Sequence, residues 1–144
     1  MNKILIVSLI SLFLAQFLKI FTIKPSSFTN LFGSGGFPSS HSSFVATLST
    51  LIGLKHGFNS DLFAIVLIFS LIVTYDASGV RRAVGEQANV LNNLIQHLNV
   101  KNIERDPEIL KEDLKELIGH TPLEVFAGVL LGVSVAFISY YYFF

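Results

Sequence analysis

The sequence contains no cysteine and no tryptophan, and only 14% of its 144 residues are charged. Without cysteine the chain has no disulfide, no thiolate nucleophile and no thiolate metal ligand. Its 10 basic and 10 acidic residues give a formal net charge of +0, so nothing in the charge balance favours nucleic-acid binding. The composition therefore excludes disulfides and thiolate chemistry and gives no support for nucleic-acid binding. The redox compartment stays undetermined.

Apolar residues are abundant instead. They make up 51% of the chain, and the mean hydropathy is +0.62. A water-soluble globule of this composition would be unusual, whereas several membrane crossings account for it directly. The composition therefore predicts that residues 1–144 form a single integral membrane domain whose partner is the bilayer.

Four apolar stretches predict transmembrane helices, over residues 4–23, 39–54, 62–80 and 123–144. In the first, Lys19 interrupts an uncharged run and can snorkel toward the interface. A signal peptide is the other interpretation of this stretch, but no small-residue cleavage site follows it, so we expect a retained span. The strongly apolar part of the third stretch ends at Tyr75, and we expect its helix to continue through Asp76-Ala-Ser-Gly-Val80.

Residues 81–119 have the character of a soluble segment, with apolar side chains at helical spacing in two stretches. Asp106-Pro107 predicts the start of the second stretch and Gly119 its end. We expect both helices to lie on the membrane surface. The predicted fold is an all-α membrane protein, a bundle of about four transmembrane helices with an amphipathic helical insert between the third and fourth.

A glycine-rich loop, Gly33-Ser-Gly-Gly-Phe-Pro-Ser-Ser-His41, leads into the second predicted helix. Glycines let the backbone approach a ligand closely, and Pro38 suits the first turn of a helix. The free N–H groups and positive dipole end that follow would favour an anion beside Ser39, Ser40 and His41. The alternative is an ordinary serine-capped helix start with an incidental histidine.

Four spans would bring three polar segments to one face of the membrane: residues 39–41, 76–82 and 120–124. Charges next to membrane spans are costly and mark functional sites. Of the 10 basic residues, eight lie on this face and two, Lys3 and Lys55, on the face with the termini. The positive-inside rule then places the polar segments in the cytoplasm.

Individual residues in these segments also have simpler interpretations. Thr121 and Glu124 match a capping box, a role that is compatible with a catalytic one. Arg81 and Arg82 suit the negative end of a helix or anionic headgroups. Three roles are open for Asp76: it could orient another side chain, end a helix or form an ion pair.

Together these residues resemble the type 2 phosphatidic acid phosphatase superfamily, which includes vanadium haloperoxidases and bacterial acid phosphatases. Its Pro-Ser-Gly-His motif is similar to Pro38-Ser-Ser-His41, and its later His-x3-Asp motif is similar to His120 followed by Glu124. The segment Tyr75-Asp-Ala-Ser-Gly-Val-Arg-Arg82 looks like that of a divergent membrane branch of this superfamily. The resemblance runs from about Lys19 to Gly132.

The chain also departs from the superfamily pattern. The first motif, Lys-x6-Arg-Pro, has only a remnant at Lys24-Pro25, with Lys19 at a different spacing, and Leu114 replaces the arginine of the third motif. Phosphate-binding cations must then come from elsewhere. Arg81 and Arg82 are the substitutes we expect, because guanidinium groups pair with phosphate oxygens.

The resemblance implies a membrane phosphatase that acts on a lipid phosphate or diphosphate in a bacterial cell membrane. His120 would form a phosphohistidine, Glu124 would orient it, and His41 would act as general acid and base. No metal or other cofactor is needed in this scheme. Substrate contacts are expected from Arg81, Arg82, Ser39, Ser40, Asp76 and Lys24. The alternative is a non-catalytic membrane protein of the same fold that binds an anionic headgroup or a protein partner, and assembly as a homo-oligomer is open in either case.

Overall fold

The computed structural model describes residues 2–22, 36–97 and 119–143. These ranges form five α-helices and no strand: α1 (Lys3–Thr22), α2 (Ser40–His56), α3 (Asp61–Ser78), α4 (Val80–His97) and α5 (Pro122–Phe143). The predicted all-helical fold is thus confirmed. The second amphipathic stretch of the insert, Lys24 and the first glycines of the glycine-rich loop lie outside the described residues.

Polar side chains cap the helices where the sequence changes from loop to apolar run. Ser39 is the N-cap of α2 and accepts a hydrogen bond from the Ser42 N–H, and Ser60 caps α3 in the same way. Pro38 therefore lies before the cap, and the expectation that it occupies the first turn was wrong. Two serines follow Pro38, and the first of them supplies the oxygen that the free N–H groups need.

The third span ends earlier than expected. We expected its helix to continue to Val80, but α3 stops at Ser78, and the N–H of Gly79 closes its last turn on the Tyr75 carbonyl at 2.8 Å. With φ −106° and ψ −86°, Gly79 leaves the helical conformation and redirects the chain. Helix α4 then starts at Val80, directly after the break.

Contacts between helices fix their directions. Lys3 at the start of α1 donates to the Phe143 carbonyl at the end of α5. Helix α2 is antiparallel to α1 and α3, and it runs parallel to α5: at one end the Ser39 N–H donates to the Glu124 carbonyl, and at the other the Tyr140 hydroxyl donates to the Leu54 carbonyl. The starts of α2 and α5 therefore share one face of the bundle with the ends of α1 and α3.

Small residues allow α2 and α5 to approach closely. A Cβ at Gly128 would collide with the Ser39 carbonyl oxygen, and one at Gly132 with that of Ser43. Hydroxyl groups then bond across the seam, as where Thr47 donates to the Gly132 carbonyl at 3.0 Å. Close backbone packing and interhelical hydrogen bonds are typical of helices that associate within a membrane.

Three stretches of the described chain are long and apolar enough to cross a membrane: Lys3–Thr22, Asp61–Leu94 and Pro122–Phe143. Helix α2 is shorter and more polar, but it accompanies α5 from Glu124 to Tyr140 and lies among α1, α3 and α5. It therefore runs alongside them in the bundle, and most of its side chains are buried. The chain is an all-helical membrane protein.

Candidate functional site

His120 lies in the short segment between α4 and α5, and the backbone holds it against the end of α3. Its N–H donates to the Ala77 carbonyl at 2.9 Å. The preceding Gly119 has φ +94°, and a side chain there would collide with the backbone of Arg81 and Arg82. A glycine is required at this position both by its conformation and by its surroundings. His120 is fixed in this way to the start of α4 as well as to α3.

Both nitrogens of the His120 ring have defined surroundings. Nδ1 lies 3.2 Å from Glu124 Oε2. Nε2 is buried and has no hydrogen-bond partner among residues 2–22, 36–97 and 119–143. Because a carboxylate accepts, Nδ1 carries the proton and Nε2 presents its lone pair. This is the tautomer that a nucleophilic histidine requires.

The electrostatic surroundings keep this ring neutral. The side chain of His120 is only 2% exposed. Burial is the main cause that lowers the pKa of His120 below its ordinary value of 6.5, and the charge of Lys19 lowers it further. The hydrogen bond to Glu124 offsets part of that effect. His120 is therefore an unprotonated nitrogen base near neutral pH.

Glu124 serves two structures at once. Its Oε2 also accepts from the Thr121 N–H at 2.9 Å, while the Glu124 N–H donates to Thr121 Oγ1 at 3.3 Å. This is the capping box that the sequence indicated, and it coexists with the contact to His120. The first turn of α5 thereby holds the carboxylate in place.

His41 is the second residue of α2, and its ring faces that of His120. The ring centroids are 6.5 Å apart and the planes are inclined at 59°. Whereas His120 is buried, His41 is exposed. A small group that lay between the two rings could therefore contact both of them, with His41 on the solvent side.

Lys19 is the residue that the sequence reasoning undervalued. Instead of snorkelling outward it is 0% exposed, and its Nζ lies 3.5 Å from Ser40 Oγ. Its charge acts on His41 and His120 and attracts Glu124. A lone cation inside an apolar run was the available signal, since such charges face the interior of a bundle.

The two adjacent arginines point to different partners. Arg81 Nε donates to Asp76 Oδ2 at 2.6 Å, and Arg82 Nε donates to Glu86 Oε1 at 2.9 Å, one turn farther along α4. Arg81 and Asp76 are both close enough to His41 for their charges to act on it. Of the three roles left open for Asp76, the structure thus shows an ion pair.

The two predicted serines have different positions. The Ser39 hydroxyl accepts from Ser42 Oγ at 2.9 Å besides capping α2, so its oxygen is used within the helix start. The Ser40 hydroxyl faces Lys19. The first intrahelical bond of α2 runs from the Ser43 N–H to the Ser39 carbonyl, which leaves the N–H groups of Ser40 and His41 without an intrahelical acceptor.

The structure thus brings together most of the predicted site. One end of the bundle contains His41, His120 and Glu124 together with Lys19, Ser40, Arg81 and Asp76. Arg82 is directed along α4, and Lys24 lies outside the described residues. No group of three or more His, Asp or Glu side chains suited to a metal ion occurs in the part of the chain that the structure describes.

These features define an all-helical membrane protein with a histidine-containing polar site at one end of its bundle. Residues 1–135 match the family described as the Divergent PAP2 family, so the chain belongs to that family. The resemblance to the type 2 phosphatidic acid phosphatase superfamily is confirmed at this level.

The chain is also similar to a protein of Bacillus subtilis (strain 168) named uncharacterized membrane protein YuiD. The two are 40% identical over 152 aligned residues, which cover 99% of this chain and 96% of that protein. No solved structure matches the chain significantly.

Proposed function

We propose that this protein is a membrane phosphatase that hydrolyses a lipid phosphate or diphosphate through a phosphohistidine on His120. The observation that carries the proposal is the pair of contacts at the His120 ring. Glu124 fixes the proton on Nδ1, Nε2 has no hydrogen-bond partner among the described residues, and the centroids of the His120 and His41 rings are 6.5 Å apart. These contacts support the roles of an oriented nucleophile for His120 and of an acid and base for His41.

In the first step, the Nε2 lone pair of His120 attacks phosphorus. The bond between phosphorus and the leaving oxygen breaks, and protonated His41 gives its proton to that oxygen. The resulting imidazole ring, bonded to phosphorus at Nε2 and protonated at Nδ1, carries positive charge. Glu124 stabilises that charge through its contact with Nδ1.

In the second step, water attacks the phosphohistidine. His41, now neutral, takes a proton from the water, and the phosphorus–nitrogen bond breaks to release inorganic phosphate. Its electron pair returns to Nε2, and both histidines regain their starting states. The exposure of His41 suits this role, because the residue must exchange protons with water between the two steps.

The phosphoryl oxygens need cations and N–H donors that are already in position. Lys19 supplies a buried cation next to Ser40, and the start of α2 supplies the N–H groups of Ser40 and His41. Arg81 supplies a guanidinium group on the exposed side. Lys19 and Arg81 thereby compensate for the cations missing from the first and third superfamily motifs.

The surroundings of the site favour a lipid as substrate. An open groove of about 320 Å³ lies between α1 and α5, next to the residues that lead into Ser39. Its walls are almost entirely apolar: Leu18, Thr22, Phe37, Pro38, Ala127, Leu130 and Leu131. A hydrocarbon chain suits such walls, and phosphatidate, phosphatidylglycerophosphate and isoprenoid diphosphates all combine a chain with a phosphate.

The test is phosphate release by the purified protein from a panel of these three lipid classes. We expect release from at least one of them and none from His120→Ala. A second measurement compares vanadate with phosphate, because vanadate adopts the geometry of phosphoryl transfer and binds an enzyme of this kind much more tightly. Inactivity on all lipids, with equal weak binding of both anions unaffected by His120→Ala, would favour the non-catalytic headgroup binder.

A further inference from the structure

Arg81 and Arg82 follow one another at the start of α4, yet each guanidinium group has its own carboxylate. Arg81 is bonded to Asp76, which lies across the break at Gly79 in the last turn of α3. Arg82 is bonded to Glu86, which lies on the same helix. Successive residues of a helix point about 100° apart, so the two side chains cannot share one direction.

The partner of Arg81 connects it with the histidines. Asp76 and Ala77 are neighbours at the end of α3: the Asp76 carboxylate binds Arg81, and the Ala77 carbonyl accepts from the His120 N–H. One helix end therefore positions both the guanidinium group and the proposed nucleophile. The close contact of Gly119 with the backbone of Arg81 and Arg82 closes the connection from the other side.

The details of the bond leave Arg81 free to bind phosphate. Asp76 engages Nε, and within the described chain no hydrogen bond occupies the two terminal amino groups of this arginine. Those two groups form the edge that pairs with phosphate oxygens. The side chains of Arg81 and Asp76 are 49% and 38% exposed. An ion pair with so much solvent exposure contributes little to stability, so its effect is mainly on direction.

We infer that Asp76 is a positioning residue that turns Arg81 toward His41, and that Arg81 is the arginine that binds the phosphoryl group. The inference rests on the proposed function, since it names the role of two residues in that site. The negative charge of Asp76 opposes phosphate binding on its own, so its contribution is made through Arg81.

The opposite signs of these two effects give a sharp test with Asp76→Asn. If Asp76 positions Arg81, removing its charge weakens vanadate binding and lowers kcat by about 10- to 100-fold, because misplaced groups lose much of their catalytic effect. If Asp76 only places a negative charge near the phosphate, Asp76→Asn tightens vanadate binding. The melting temperature should stay close to that of the wild type in both cases.

Glu86→Gln is the matched control, because it breaks the equivalent ion pair of Arg82 at the same kind of exposed position. We expect it to leave kcat, KM and vanadate affinity within about twofold of the wild type. Asp76→Glu keeps the charge and should recover part of the lost rate. In an Arg81→Ala background, Asp76→Asn should cause no further loss, since a residue that acts through another shows this non-additivity.

Each failure has its own signature. The proposed function is overturned if the wild-type protein binds vanadate no better than phosphate and releases no inorganic phosphate from lipids. If the wild-type protein is active and Asp76→Asn binds vanadate as tightly as the wild type or more tightly, only the positioning role is overturned. Equal losses in Asp76→Asn and Glu86→Gln, or additive losses with Arg81→Ala, would do the same.

Discussion

Glu124 and His120, four residues apart, are joined by a 3.2 Å contact between Oε2 and Nδ1, and the same Oε2 accepts the Thr121 N–H. The carboxylate thus belongs to a helix cap and to the proposed nucleophile together. A single substitution can separate these roles, because an amide accepts the cap bond but cannot balance an imidazolium charge.

Glu124→Gln is that substitution. A glutamine also forms capping boxes, so the start of α5 should persist with little change in melting temperature. The phosphorylation rate should fall by about 10²–10⁴-fold, as when the carboxylate of a catalytic triad becomes an amide. Thr121→Ala is the control: it should lower stability by about 1 kcal/mol and leave most of the rate. A reversed pattern would show that Glu124 only caps the helix.

The two histidines should fail in different ways. His120→Ala removes the nucleophile, so it should abolish turnover and any acid-labile phosphoenzyme for every substrate. His41→Ala removes only the proton donor and acceptor. Its phosphorylation rate should therefore recover in part with an aryl phosphate, whose leaving group needs no proton. Rapid-quench detection of phosphoenzyme separates the cases, and wild-type rates in either variant would remove that residue from the mechanism.

The lowered pKa of His120 predicts the acidic limit of activity. The neutral ring is the nucleophile, so phosphorylation should persist as the pH falls through 6.5 and decline only below the pKa in the folded protein. As the pH falls, the unfolded protein binds this proton near the ordinary pKa of 6.5, before the folded protein does. Stability is therefore lost as the pH falls from 6.5 to the lower pKa of the folded protein. Lys19→Met removes one of the causes, and the His120 pKa should rise. NMR titration of labelled histidine measures it, and an unchanged or lower pKa in Lys19→Met would contradict the expectation.

Gly132 tests the seam that holds the site together. A Cβ at this position would meet the Ser43 carbonyl and Ala46, so Gly132→Ala should push α2 away from α5. Overpacking of this kind costs about 1–3 kcal/mol. Since His41 lies on α2 and Glu124 on α5, the rate should fall as well. Ser134→Ala, at an exposed position on the same helix, is the control and should leave both thermal stability and rate nearly unchanged.

The orientation in the membrane follows from charge and can be tested without background labelling, because the chain has no cysteine. We expect the site to face the cytoplasm and both termini to face outward, since the sequence predicts that eight of the 10 basic residues lie on the site's side of the membrane. A cysteine at Phe58, in the loop between α2 and α3, should react with an impermeant reagent added outside. One at Gln87 on α4 should not. The opposite pattern of labelling would overturn the orientation.

Sequence reasoning located the helices well where hydrophobicity was the cause. It was less accurate where a single backbone position decided the outcome. The end of α3 at Ser78 depends on the conformation of Gly79, which an apolar count does not register. The place of Pro38 before the cap depends on which of two adjacent serines caps the helix.

Lys19 shows the same limit for the site. Along the sequence it is one charge near the end of an apolar run, and snorkelling is an adequate account of it. Its burial beside Ser40 arises because α1 presents that face to α2 and α5. The rotation of one helix relative to two others is a property of packing, and no local pattern contains it.

The sequence by itself determined that this is a helical membrane protein, since enough apolar residues must leave water and their backbone must satisfy its own hydrogen bonds. It also determined the capping box at Glu124, because two residues three positions apart, Thr121 and Glu124, suffice to form it. Only the tertiary structure decided that Asp76 holds Arg81 and that Ala77 holds His120. The second of these contacts joins residues far apart in the chain, and both depend on how α3 ends and on where α4 and α5 begin, so the packing of helices sets them.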